Sequence, residues 1–143
     1  MRYPEEMVRP MRQEMVQLGF EEARTPDAVR RAVSGGGTTL LFVNSVCGCA
    51  GGIARPGLAL ALTHSVLPDR LATTFAGMDL EAVEFARGLF AEYPPSSPQA
   101  ALFKDAKPVE VIQRHQIEGT SAERFASLLT SAFDRHCRSG KPV

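Results

Sequence analysis

Three features of the sequence point to an α/β protein, with a central mixed sheet of about five strands flanked by helices and a helical extension at the N-terminus. Short apolar, β-branched runs alternate with longer stretches whose apolar residues recur at spacings of three and four. One stretch without any charged residue, Ala32 to Ala54, passes from a strand-like run through a glycine-bearing loop into a helix-like run. Near the C-terminus two strand-like runs are separated only by a turn and are followed by an amphipathic helix.

Taken in order, Pro4 and Pro10 suit the first turns of two short helical pieces, the second carrying Met11, Met15 and Leu18 and stopping at Gly19. Phe20 to Arg24 is a short strand. Thr25-Pro26 reads as an N-cap followed by proline at the first helical position, opening a helix that runs to Val33 and ends at Gly35-Gly36-Gly37. Thr38 to Asn44 (TTLLFVN) is too short for a helix and suits a strand buried on both faces. After Cys47-Gly48-Cys49 a helix is expected to about His64, kinked where Pro56 removes a backbone donor.

Leu71 to Phe75 is the next strand. Asp79 to Tyr93 is a helix with Leu80, Val83, Phe85, Ala86, Leu89 and Phe90 on one broad face, broken by Pro94-Pro95-Ser96-Ser97-Pro98. Strands over Gln99–Lys104 and Val109–Arg114 flank the turn Asp105-Ala106-Lys107-Pro108. The last helix starts near Thr120, where Thr120 and Glu123 match a capping box, and reaches about Arg138. Helix-joined strands imply parallel crossovers, with the final hairpin as an antiparallel edge. The order β-α-β-α-β-α-β-β-α is that of the thioredoxin fold. Residues 1–143 are then a single thioredoxin-like domain, with residues 1–19 as its N-terminal helical extension.

Composition narrows the function classes. With 143 residues, 44% hydrophobic and 22% charged, the chain has the make-up of one soluble globular domain. Sixteen basic residues against sixteen acidic ones supply no field for nucleic acid or an anionic membrane. The charge-free stretch contains six glycines and five Ser, Thr or Asn residues, so it is not a membrane span. MRYPEEMVRP lacks the apolar core of a secretory signal, and three cysteines are too few for a disulfide-stapled scaffold. The reducing cytoplasm is the expected compartment.

Chemistry concentrates at Cys47-Gly48-Cys49, between a buried strand and a helix. Free amides and the positive end of the dipole at a helix N-terminus stabilise an anion, so a cysteine placed there is partly thiolate near neutrality. A second cysteine two residues on can attack a mixed disulfide formed by the first. A disulfide between them would close a small ring, suited to exchange rather than to durable stabilisation. Gly48 keeps the loop bendable, while Gly51 and Gly52 leave room for a partner's backbone or a small thiol. In a thioredoxin-like fold the proline before the fourth strand is cis and faces the active cysteines, and Pro98 stands in that position. A cis Ser97–Pro98 bond is expected on that analogy, although local sequence alone favours trans.

SVCGCAGGIARPG, YPPSSPQAALFKD and RHQIEG, in this order, make the chain resemble the bacilliredoxin family, small thioredoxin-like proteins of bacteria that use bacillithiol in place of glutathione. The resemblance implies a thiol–disulfide oxidoreductase that removes bacillithiol from protein mixed disulfides. Cys47 matches the attacking cysteine and Cys49 the second one, with Gly48, Ser97 and Pro98 as the substrate-facing residues. It implies no bound cofactor, with bacillithiol as co-substrate, bacillithiolated proteins as clients and a reductase for recycling. Two other readings remain open: a general protein disulfide isomerase or reductase without bacillithiol specificity, and a non-catalytic metal-binding or redox-sensing module.

The remaining candidates have plainer readings. No metal is expected, since Cys47 and Cys49 are the only close pair, His64, His115 and His136 are scattered, and neighbours such as His136 and Cys137 point about 100° apart on a helix. Cys137 falls on the apolar stripe of the last helix and reads as buried. His64 lies at a helix C-terminus, and Arg114 with His115 reads as an exposed strand end. Arg55, the only charge between Arg31 and Asp69, reads as a solvating residue on an apolar helix. Met7, Met11 and Met15, spaced at four, read as core or contact residues. An uncovered edge strand and the methionine-bearing N-terminus offer surface for a homodimer without demanding one.

Overall fold

The Thr38–Asn44 run forms the middle strand of the protein because every one of its residues is buried, as two covered faces require. In the computed structural model, which describes residues 2–137, this strand is β2. The full order is α1 (Glu5–Gln17), β1 (Glu21–Glu22), α2 (Pro26–Val33), β2, a π turn (Ala50–Ala54), α3 (Arg55–Ala61), β3 (Arg70–Phe75), α4 (Leu80–Leu89), β4 (Gln99–Lys104), β5 (Lys107–Ile112), α5 (Arg114–Ile117) and α6 (Ala122–His136). The sheet runs β1-β3-β2-β4-β5.

Strands β1, β3 and β2 are parallel. β4 runs antiparallel to β2, so the reversal starts one strand earlier than the expected hairpin edge. The pairing of Gln99 with Val43 starts β4 beside the end of β2 that leads into the cysteine loop. Pro98, directly before Gln99, therefore enters the sheet at that end.

Side-chain alternation divides the core in two. Leu40, Phe42, Ala100 and Leu102 face Leu58, Phe125, Leu129 and Phe133 of α3 and α6. Leu41, Ala101 and Phe103 face Val29, Ala82, Ala86 and Phe90 beside α2 and α4. Helices α3 and α6 approach closely at Gly57, where a Cβ would lie 2.7 Å from Phe125 Cδ2 and 2.9 Å from the Ala122 carbonyl oxygen.

Several elements differ from expectation for local physical reasons. The N-terminal pieces are one helix with Pro10 inside it, because Val8, Arg12 and Met15 bury one continuous face and outweigh the proline penalty. The helix after the cysteines stops at Ala61 rather than His64. Its Pro56 sits in the first turn of α3, after a π turn in which the Arg55 N–H reaches back to the Ala50 carbonyl. Helix α4 ends at Leu89 because Phe90 leaves helical geometry and packs its ring 6.3 Å from that of Phe103, while Leu80 on the expected apolar face is 43% exposed.

The hairpin turn is only Asp105-Ala106, both with positive φ, so β5 starts at Lys107 and Pro108 lies within an edge strand, where a missing donor is tolerated. Ser121, not Thr120, caps α6: its hydroxyl oxygen accepts from Arg124 N–H at 3.1 Å, and Thr120 Oγ1 donates instead to the Ile117 carbonyl. The expected helix end near Arg138 lies outside the described residues. Met15 is buried but Met7 is 46% exposed, so the methionine series does not form one core stripe.

Candidate active site

Strand β2 ends at Asn44, and Ser45 and Val46 lead into Cys47, after which the backbone turns helical at Gly48. The Cys47 carbonyl accepts from Ala50 N–H at 3.1 Å and from Gly51 N–H at 3.3 Å, which places Cys47 at the start of this turn. Cys47 N–H donates to Ser45 Oγ at 3.2 Å. The Cys47 and Cys49 sulfurs are 2.9 Å apart, both free thiols and both half-buried, and Gly48 between them is exposed with open space around it.

The two thiols are driven in opposite directions. Burial pushes the Cys47 thiol up, but the Cys49 thiol, the Ser45 hydroxyl, the Ala50 N–H and the Arg114 charge together hold it below the ordinary cysteine range. Burial pushes the Cys49 thiol up, and donation to Cys47 and the Cys47 charge push it further. Of the pair, Cys47 is thus the thiol that gives up its proton more readily and Cys49 the one that keeps it.

Arg114 is not the strand end that the sequence suggests; it opens α5, because Gln113 leaves β5 and forms a reciprocal cap with Gln116. Its guanidinium donates to the Ser97 carbonyl oxygen at 3.3 Å and pairs with Glu118 at 3.2 Å. The Ser97–Pro98 bond is cis and Pro98 is buried. Behind it lies a polar knot. Gln99 Nε2 and Ser96 Oγ both donate to Gln113 Oε1, at 2.6 and 3.1 Å, and Gln113 Nε2 donates to the Pro94 carbonyl at 3.0 Å. Arg87 Nη2 donates to the Ser96 carbonyl at 2.9 Å. These bonds hold the proline-rich loop against α5.

Arg55 is the largest departure from the sequence reading. Far from being solvated, it is only 6% exposed and fans out to three partners. Its Nε meets Glu14 Oε1 at 2.6 Å, and its Nη1 donates to Asn44 Oδ1 at 2.8 Å and to the Ser45 carbonyl at 2.9 Å. Gly51 leaves room for this guanidinium rather than for a partner, since a Cβ there would lie 3.0 Å from Arg55 Nη2. The signal in the sequence was a lone charge in an otherwise apolar run. Gln99 and Gln113 carried no comparable signal.

The other candidates stand apart from the cysteines. His64 pairs with Asp134 at 2.8 Å and His136 with Glu110 at 3.0 Å. Cys137 is half-buried against the α3–α6 core, and burial raises its thiol. Among the described residues no three His, Cys, Asp or Glu side chains come together as a metal site.

Two free thiols 2.9 Å apart, the first held more acidic than the second, at the end of a central strand in this sheet order, define a thiol–disulfide oxidoreductase of thioredoxin fold. Solved structures agree on the fold: thioredoxins of Malassezia sympodialis and Fasciola hepatica match at TM-scores of 0.56 each, 14% and 16% identical, covering 82% of this chain and 90% and 99% of theirs. The disulphide isomerase family model matches residues 3–137. Bacilliredoxins of Cytophaga hutchinsonii and Koribacter versatilis are 49% and 50% identical, over 92% and 94% of this chain and 98% and 94% of those proteins. A bacilliredoxin of Bacillus thuringiensis subsp. konkukian is 48% identical over 92% of each chain. The chain belongs to the bacilliredoxin family.

Proposed function

We propose that this protein removes bacillithiol from protein mixed disulfides by thiol–disulfide exchange, with Cys47 as nucleophile and Cys49 as the resolving thiol. The observation that carries the proposal is the 2.9 Å Cys47–Cys49 pair, with its two thiols driven apart in acidity, in a chain half identical to bacilliredoxins. The Cys47 thiolate attacks the bacillithiol sulfur of the adduct. The old S–S bond breaks, its electron pair leaves on the client sulfur, and a proton restores the client thiol. Bacillithiol is now disulfide-bonded to Cys47.

Two routes clear it. Cys49, deprotonated, attacks Cys47 Sγ and expels bacillithiol thiolate, leaving a Cys47–Cys49 disulfide that a reductase returns to two thiols with two electrons. Alternatively, free bacillithiol attacks the bound bacillithiol sulfur, freeing Cys47 and forming bacillithiol disulfide. Bacillithiol is thus co-substrate rather than bound cofactor, and the clients and the recycling reductase meet the protein in the cytoplasm. The proposal assigns the client's approach to Gly48, which is exposed, and to Ser97 and Pro98, which precede β4 at the end of β2 that leads into the cysteine loop. No helix among the described residues is long and apolar enough to cross a membrane.

The test uses a model protein carrying a bacillithiol adduct, a glutathione adduct as control, and intact mass as the readout. Cys49→Ala is expected to accumulate one bacillithiol on the protein, and Cys47→Ala none. The disulphide isomerase description of the matched family favours a second reading, general exchange without thiol preference. Equal rates on both adducts would select that reading; transfer from neither would reject both.

A further inference from the structure

The polar connections behind the cysteine loop converge on Ser45. Its N–H donates to Asn44 Oδ1 at 2.9 Å, and its carbonyl accepts from Arg55 Nη1 at 2.9 Å. Asn44 Oδ1 also accepts from the same Nη1 at 2.8 Å, while Asn44 Nδ2 donates to the Met11 carbonyl of α1 at 3.2 Å. Both sides of the Ser45 backbone are therefore fixed by one guanidinium and one amide. Ser45 Oγ in turn accepts the Cys47 N–H, and its hydroxyl is one of the groups that favour the Cys47 thiolate. The guanidinium is itself aimed by Glu14 of α1, at 2.6 Å.

We infer that Arg55 is a positioning residue for the attacking thiol, and that through Glu14 the N-terminal helix is a working part of the site. The inference rests on Cys47 being that thiol. Arg55 bonds to neither sulfur. The groups that bear on Cys47 are Cys49, Ser45, the Ala50 N–H and Arg114, with Glu118 acting on Cys49. Arg55 thus acts by geometry, through Ser45. A planar fork reaching Glu14 on one side and Asn44 with Ser45 on another is what an arginine supplies; a lysine brings the charge without the fork. The sequence places an arginine in an apolar helix, and a glycine at position 51, where a side chain would crowd it.

The test compares wild type, Arg55→Lys, Glu14→Ala, Ser45→Ala, the Arg55→Lys/Ser45→Ala double variant and Cys47→Ala. Ultraviolet thiolate absorbance is followed against pH, together with the rate of reaction with 5,5′-dithiobis(2-nitrobenzoic acid) and a urea melt. Arg55→Lys is expected to move the Cys47 titration to higher pH and slow the neutral-pH reaction by about three- to tenfold, the worth of one misplaced hydrogen bond. Glu14→Ala moves both in the same direction by less. Ser45→Ala reproduces the effect, and adding Arg55→Lys to it adds little.

A folded Arg55→Lys with wild-type titration and rate overturns the inference, as does a full Arg55→Lys effect in the Ser45→Ala background. If Arg55→Lys does not fold, Glu14→Ala, whose side chain is 52% exposed, decides on the same criteria. Should Glu14→Ala match wild type while Arg55→Lys does not, the part assigned to α1 fails. A low-pH titration that survives in Cys47→Ala would instead reject Cys47 as the thiolate, and the inference with it.

Discussion

Arg114 donates from Nη1 to the carbonyl oxygen of Ser97 at 3.3 Å, and this bond ties helix α5 to the loop that enters β4 beside the cysteines. The same guanidinium favours the ionised form of both Cys47 and Cys49. It is solvent-exposed and shared with Glu118, so its influence on the thiolate is modest and sensitive to salt. Arg114→Ala is expected to slow exchange at neutral pH by roughly two- to fivefold, and less at high ionic strength. Stopped-flow rates at two salt concentrations check this, and a salt-independent loss would point to a role in holding the loop.

The exchange rate should follow the Cys47 thiolate. Its acidity is set against burial by the Cys49 thiol first, then by Ser45, Ala50 N–H and Arg114. The rate is therefore expected to rise with pH about a midpoint below that of a free cysteine. Cys49→Ala removes the largest favourable contribution, so the thiolate becomes harder to form and the rise moves to higher pH. At neutral pH the first attack slows by about three- to tenfold. An unchanged midpoint in Cys49→Ala would show that Ser45, the Ala50 N–H and Arg114 set the acidity without Cys49.

The fold was largely legible because its signals are local. TTLLFVN could only be a strand buried on both faces, and Thr25-Pro26 could only open a helix. The cysteine pair was legible for the same reason, since strand, CGC and helix follow one another directly in the chain. What stayed hidden depends on partners distant in sequence. Arg55 looked like a solvating charge because Glu14, which compensates it, is on another helix. Gln113 looked like ordinary strand because its partners Pro94, Ser96 and Gln99 only meet it once β4 and β5 pair. Pro10 looked like a helix start because the burial that overrides it is tertiary.

Helices α3 and α6 can lie as close as they do only because residue 57 has no side chain. Gly57→Ala would put a methyl group 2.7 Å from the Phe125 ring and 2.9 Å from the Ala122 backbone carbonyl, of which only the ring can move. The expected cost is about 1–3 kcal/mol, despite the better helix propensity of alanine. Urea unfolding with an unchanged slope checks it. Because α3 continues directly from the π turn after Cys49, exchange should slow as well, and a destabilised variant with wild-type rate would show that the helix yields at its far end.

Arg12 joins α1 to the body of the fold. Its guanidinium, 7% exposed, takes both carboxylate oxygens of Asp79, at 2.9 and 3.0 Å, and lies 5.2 Å from the Phe75 ring centroid. Asp79 Oδ2 also accepts the Phe75 N–H at 3.0 Å, so the pair fixes the end of β3 and the start of α4 together. Arg12→Met removes the cation but leaves a buried carboxylate with one backbone donor and the half-exposed Arg24 at 3.6 Å. An uncompensated buried charge is the costly case, and about 3 kcal/mol of stability should be lost. Arg12→Met combined with Asp79→Asn removes the charge imbalance and should recover part of that loss, which calorimetric melting can measure. If the two changes cost the same together as the sum of each alone, the pair does not act as a unit, and α1 is held by Val8 and Met15 instead.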